Sequence, residues 1–90
     1  MEIEDILNEL FDKSILIKDG ENHNGIYKLL SGLSSCVEQI QDADFKQWVT
    51  EYTGYWMNPE NLSNNTEAFR EETSELLIGY RDITSGDFEL

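Results

Sequence analysis

Asp42-Ala43-Asp44-Phe45-Lys46-Gln47-Trp48-Val49-Thr50-Glu51-Tyr52-Thr53-Gly54-Tyr55-Trp56 is the stretch that decides the fold. Phe45, Trp48, Val49, Tyr52 and Trp56 fall at helical spacing, which lines them along one side of an α-helix and breaks the two-residue alternation of a strand. Asp42 stands before the stripe as an N-cap acceptor, and Asp44 occupies the first turn, where the helix dipole favours a carboxylate. Gly54 weakens the last turn, and Pro59 ends the helix because Asn58 before it is pushed towards extended backbone. So much aromatic surface on one side has to be covered by other elements.

The flanking sequence supplies them. Ile3, Ile6, Leu7, Leu10 and Phe11 make an apolar stripe on a short first helix, with Glu2, Glu4 and Asp5 in its opening turn. Ser14-Ile15-Leu16-Ile17-Lys18 admits a short strand or a further helical turn and is read as an apolar connector. Asp19-Gly20 and the polar residues up to Gly25 are turn chemistry. A second helix is expected from about Ile26 to Gln41, with Ile26, Leu29, Leu30, Leu33, Val37 and Ile40 as its stripe, Cys36 at the edge, and Gly32 marking a close helix approach. Residues 57–65 read as a loop anchored by Leu62. Asn65 or Thr66 then caps a helix whose Phe69, Thr73, Leu76, Leu77 and Tyr80 share a side, and residues 84–90 read as an acidic tail. The expected architecture is all-α, one small four-helix bundle-like domain over 1–90.

Composition bounds the function. With 39% apolar residues and aromatics from Phe11 to Phe88, the chain is too rich for a disordered acidic polymer. Its 90 residues allow one core and argue against a large catalytic cleft. Cys36 stands alone, so no intrachain disulfide or cysteine-cluster zinc site is expected, in keeping with a reducing compartment, by default the cytoplasm. The acidic opening Met1-Glu2-Ile3-Glu4-Asp5 lacks the basic region of a secretory signal, and no apolar run reaches membrane-spanning length. Asn61-Leu62-Ser63 and Asn64-Asn65-Thr66 match the glycosylation sequon as Asn- and Ser-rich segments do by chance.

No constellation for catalysis stands out. His23 lies among asparagines and reads as a surface residue, Cys36 as a core thiol, so a nucleophile and base pair is not expected. Asp19, Glu21 and His23 superficially resemble a calcium loop, but Asn24 occupies the position that requires glycine and Leu30 the twelfth. An enzyme, a cofactor and a metal site are therefore not expected.

Charge is the remaining signal. Nineteen acidic against six basic residues leave a net charge of -13, about one negative charge for every 400 Å² of a folded chain of this size. Such a surface repels nucleic acid and anionic membrane and attracts basic proteins. Glu67, Glu71, Glu72 and Glu75 crowd one helix with like charges at i, i+4, offset only by Arg70. Together with Asp82, Asp87 and an aromatic anchor at Tyr55 and Trp56, they are the candidate partner-binding residues. The expected function is stoichiometric inhibition of a basic nucleic-acid-processing protein, first of all by an immunity protein or antitoxin facing a toxin nuclease. A phage-type nucleic-acid mimic blocking a host defence enzyme is the nearest alternative. A small acidic adaptor or secretion chaperone is the other, with Leu62, Ile83, Phe88 and Leu90 as its only spare apolar residues.

Overall fold

The computed structural model describes residues 3–17 and 23–85, and the regular elements among them are all helical. They are α1 (Ile3–Leu16), α2 (Asn24–Cys36), a 3-10 turn (Val37–Gln39), α3 (Ala43–Trp56), α4 (Pro59–Asn64) and α5 (Thr66–Ser85). The all-α expectation holds. Past Ser85, the tail expected over 84–90 lies outside the described residues, as does the Asp19 and Glu21 part of the turn.

Three local readings change. The segment read as a connector continues α1 to Leu16, because Ser14 Oγ donates to the Phe11 carbonyl at 2.7 Å and keeps the turn wound. Arg70 on α5 then caps this helix from 56 residues away, its Nε donating to the Ser14 carbonyl at 3.1 Å. That carbonyl belongs to the last turn, whose acceptors have no partner within their own helix. Consequently the apolar run splits by helical phase: Ile17 is buried, whereas Leu16 is 77% exposed and Ile15 51%.

The second helix stops at Cys36, short of the expected Gln41, and tightens into the 3-10 turn. Ser35 Oγ bonds back to the Ser31 carbonyl in that last stretch. Ile40 leaves the turn in extended backbone (φ -79°, ψ 123°), which brings its side chain into the core. This exit also frees Asp42 to cap α3, its carboxylate accepting from the Phe45 N–H at 2.8 Å.

The 57–65 segment is not a plain loop. Asn58 is indeed extended (φ -78°, ψ 117°), as a residue before proline should be, yet its side chain accepts from the Glu60 N–H and Pro59 takes the first helical position. Proline with fixed φ and a capping asparagine start a helix as readily as they end one. The resulting α4 buries Leu62 completely, which removes it from the spare apolar surface.

α5 packs most extensively on α1 and also lies along α3, while α2 bridges α1 and α3. Leu7, Leu10, Leu30, Leu33, Val49, Trp56, Leu62, Phe69 and Leu76 are fully enclosed. A Cβ on Gly32 would meet Ile6 at an ordinary 3.7 Å, so α1 and α2 approach without needing glycine there. The close approach is instead at Gly79 on α5, where a Cβ would lie 3.1 Å from Trp48 and 3.2 Å from Phe45.

Candidate partner-binding groove between α3 and α5

Aromatic side chains tie α3 to α5. Trp56 meets Phe69 edge-on with centroids 5.3 Å apart, Tyr52 stacks on Phe69 at 6.1 Å, and Phe45 contacts both Trp48 and Tyr80. Trp56 is fully buried and its indole N–H donates to Glu72 Oε1 at 3.0 Å. Trp56 is therefore core, not the exposed anchor expected of it. Tyr55, one residue on, is 48% exposed and packs edge-on against Trp56 at 4.7 Å. Tyr55 is the exposed member of the pair because successive helical residues turn by about 100°, and only one of the two can face inwards.

Deeper in the seam the Thr73 hydroxyl donates to the Phe69 carbonyl at 2.6 Å, and Tyr52 Oη lies 2.6 Å from the same hydroxyl oxygen. With the threonine proton already committed, Tyr52 is the donor of that pair. Burial raises the Tyr52 phenol well above its ordinary pKa, and the nearby Glu72 carboxylate adds to this. Tyr52 is thus a fixed neutral floor.

Two shallow grooves open along this seam and share Trp48. One, about 430 Å³, is lined by Trp48, Glu51, Tyr52, Tyr55, Glu72 and Glu75. The other, about 300 Å³, has Phe45, Trp48 and Gly79 beneath Asp42, Asp44 and Asp82, with Ile83 at its edge. Gly79 makes the second possible, since its missing side chain lets the Trp48 and Phe45 rings lie against α5. Among the described residues, three carboxylates line each groove together with its aromatic side chains, and no cation lines either.

The basic side chains of the described residues are elsewhere. Arg70 and Arg81 leave α5 towards α1, bonding Ser14 O and Asn8 Oδ1. Lys46 pairs with Glu38 at 3.1 Å beside the 3-10 turn, Lys13 lies over Gly25 at the start of α2, and Lys28 lines a groove with Ile6 and Leu29. The arginine that seemed to offset the glutamates of α5 therefore turns away from them.

Of the predicted residues, Tyr55, Glu72 and Glu75 come together in the first groove, and Asp82 joins the second. Glu67 and Glu71 are exposed on the outer face of α5, in one line with Glu75, the 57%-exposed Ile78 and Asp82 by helical spacing. Asp87 lies outside the described residues. Sequence reasoning passed over Trp48, Glu51 and Gly79. Trp48 sits at the edge of its stripe by helical phase, and a glycine inside an otherwise regular helix signals close packing; both were available clues.

His23 is the clearest reversal. It is buried, only 5% exposed, and its carbonyl receives the first N–H groups of α2 from Ile26 and Tyr27. Its Nε2 is enclosed with no hydrogen-bond partner among the described residues. The surface reading failed because polar neighbours in sequence say nothing about which of them the fold turns inwards. Cys36 is half-buried at the end of α2 rather than fully in the core. Among the described residues no cluster of His, Cys, Asp and Glu could hold a metal ion, and no helix is long and apolar enough to cross a membrane.

No protein-family model matches this chain, and neither a curated protein nor a solved structure matches it.

Proposed function

We propose that this chain is a stoichiometric inhibitor that covers the cationic surface of a nucleic-acid-processing protein in the cytoplasm, most simply an immunity protein or antitoxin held against a toxin nuclease. The observation that carries the reading is the segregation of charge. Among the described residues, Arg70, Arg81 and Lys46 bond groups on α1 and the 3-10 turn, and the α3–α5 groove is left with carboxylates beside the exposed Tyr55 ring. Unpaired like charges on a helix are unfavourable in isolation, so a surface of this kind is costly unless a cationic partner meets it. A nuclease presents Lys and Arg to phosphate, and carboxylates can occupy those groups through charge-assisted hydrogen bonds. Steering by the same field speeds capture of a toxin.

The nucleic-acid mimic uses identical electrostatics and differs only in its target. The adaptor reading loses Leu62, which is enclosed, and keeps Ile83 at 39% exposure; Ile15, Leu16 and Ile78 are further exposed aliphatic residues, scattered over α1 and α5.

The test is titration of the chain into the basic nuclease encoded beside it or purified with it, following nucleic-acid cleavage. Inhibition should saturate at one chain per enzyme and weaken steeply between about 50 and 500 mM salt. Reversing Glu67, Glu71 and Glu75 to Lys should relieve it while the helical content is kept. A salt-independent complex, or undiminished inhibition by that triple variant, would overturn the reading. Glu72 is left out of the variant because it also holds the Trp56 indole.

A further inference from the structure

We infer that the Tyr55 groove is a receptor for an arginine side chain of the basic partner and prefers it to lysine. The inference rests on the charge reading above and goes further by naming the residue type recognised. Glu72 is the key. Glu67, Glu71, Glu75 and Asp82 are exposed, but Glu72 is half-buried and held at 3.0 Å by the indole N–H of a fully buried tryptophan. An acceptor fixed in this way needs little further ordering when a donor arrives. Glu75 lies one turn further on the same wall, and Glu51 faces them from α3, tethered by Gln47 at 3.1 Å.

The rings of Trp48, Tyr55 and the neutral Tyr52 line the same groove from α3. Carboxylates from both helices beside aromatic rings match a planar guanidinium, which bonds carboxylates through several N–H groups while stacking on a ring. An ammonium is more strongly hydrated and gains less from the rings. Other occupants fit the charge poorly. A second copy of this chain would bring another net -13 to the contact, and the chain's own end, Asp87-Phe88-Glu89-Leu90, carries the same sign.

The experiment uses the full chain and two probes, a capped hexapeptide of alternating glycine and arginine and its lysine counterpart. Nitrogen-edited NMR follows the Trp48 indole N–H and the backbone amides of Tyr55, Glu72 and Glu75, at low and at physiological salt. The arginine peptide should shift these resonances and bind roughly two- to five-fold more tightly than the lysine peptide. Tyr55→Leu, at a half-exposed position where folding is not at stake, should abolish that preference, and Glu75→Gln should weaken both peptides. Equal affinity for the two peptides, or shifts centred on Glu67 and Glu71, would overturn the arginine groove and leave the charge reading standing. Absence of binding by either peptide at low salt would overturn both. Concentration-dependent self-association blocking the groove would replace the arginine by a second copy.

Discussion

Replacing Gly79 and Gly54 by alanine, each alone, probes the seam that forms the grooves. Both glycines lie inside helices, α5 and α3, so each substitution recovers about 1 kcal/mol of helix propensity. At Gly54 a Cβ meets nothing within 4 Å, and the gain should appear in full. At Gly79 the new methyl would press on Trp48 at 3.1 Å and Phe45 at 3.2 Å, inside ordinary carbon contact. Phe45 is buried and itself touches Trp48 and Tyr80, so it cannot retreat freely. Overpacking of this kind costs about 1–3 kcal/mol, which turns the gain into a net loss of about 0–2 kcal/mol. For a domain of this size 1 kcal/mol moves Tm by about 4–8 °C. Thermal and urea unfolding followed by circular dichroism should therefore raise Tm for Gly54→Ala and leave it unchanged or lowered for Gly79→Ala. Near-ultraviolet dichroism should change only in the second variant, as the Trp48 ring is displaced. Equal stabilisation by both substitutions would refute the seating of Trp48 and Phe45 on α5, and with it the geometry of the grooves.

Tyr52→Phe should cost about 0.5–1.5 kcal/mol at neutral pH through the lost Thr73 bond. It should also flatten the alkaline limb. The unfolded phenol ionises near pH ~10 and the buried one only at higher pH, so above that point the native state holds the extra proton and stability falls as pH rises, by up to about 1.4 kcal/mol per pH unit. Below it the residue makes no pH-dependent contribution, and a wild-type slope identical to that of the variant would contradict the assignment. Arg70→Met keeps the stem but strips the cap from α1, and chemical denaturation should show a loss of about 1 kcal/mol, discounted for partial exposure. Trp56→Ala should lose about 3–5 kcal/mol of stability, whereas Tyr55→Ala should lose less than about 1.5 kcal/mol and express its effect in partner affinity. His23→Leu removes an enclosed nitrogen without a partner among the described residues and should be neutral or stabilising in the same unfolding assay; a large loss would reveal a bond to that ring.

The helices that sequence periodicity foretold share one property: their stripes are long and their caps are local. Asp42 and Phe45, three residues apart, carry the start of α3 within themselves, and Phe69, Thr73, Leu76 and Leu77 fall on the buried side of α5 as their spacing requires. The misjudged segments are those whose ends depend on distant groups or on competing signals. Nothing near Ser14 announces that Arg70 will cap it. Pro59 signals both a stop and a start, and only the packing of Leu62 against the core selects the start. In the candidate site, Tyr55, Glu72 and Glu75 were legible as residues but not as neighbours, since their meeting requires the crossing of α3 on α5.

Sequence alone determined the helical class, the order of the long helices, the cap of α3 and the excess of carboxylates, because each follows from spacing or composition within a short stretch. Tertiary structure alone decided where that charge stands free. It turned Arg70 and Arg81 towards α1, enclosed Trp56 and His23, left Tyr55 outside, and let Trp48 lie on Gly79. The physical reason is that a charge or a ring acquires its role from what faces it across a helix interface, and residues tens of positions apart come face to face only when the helices dock.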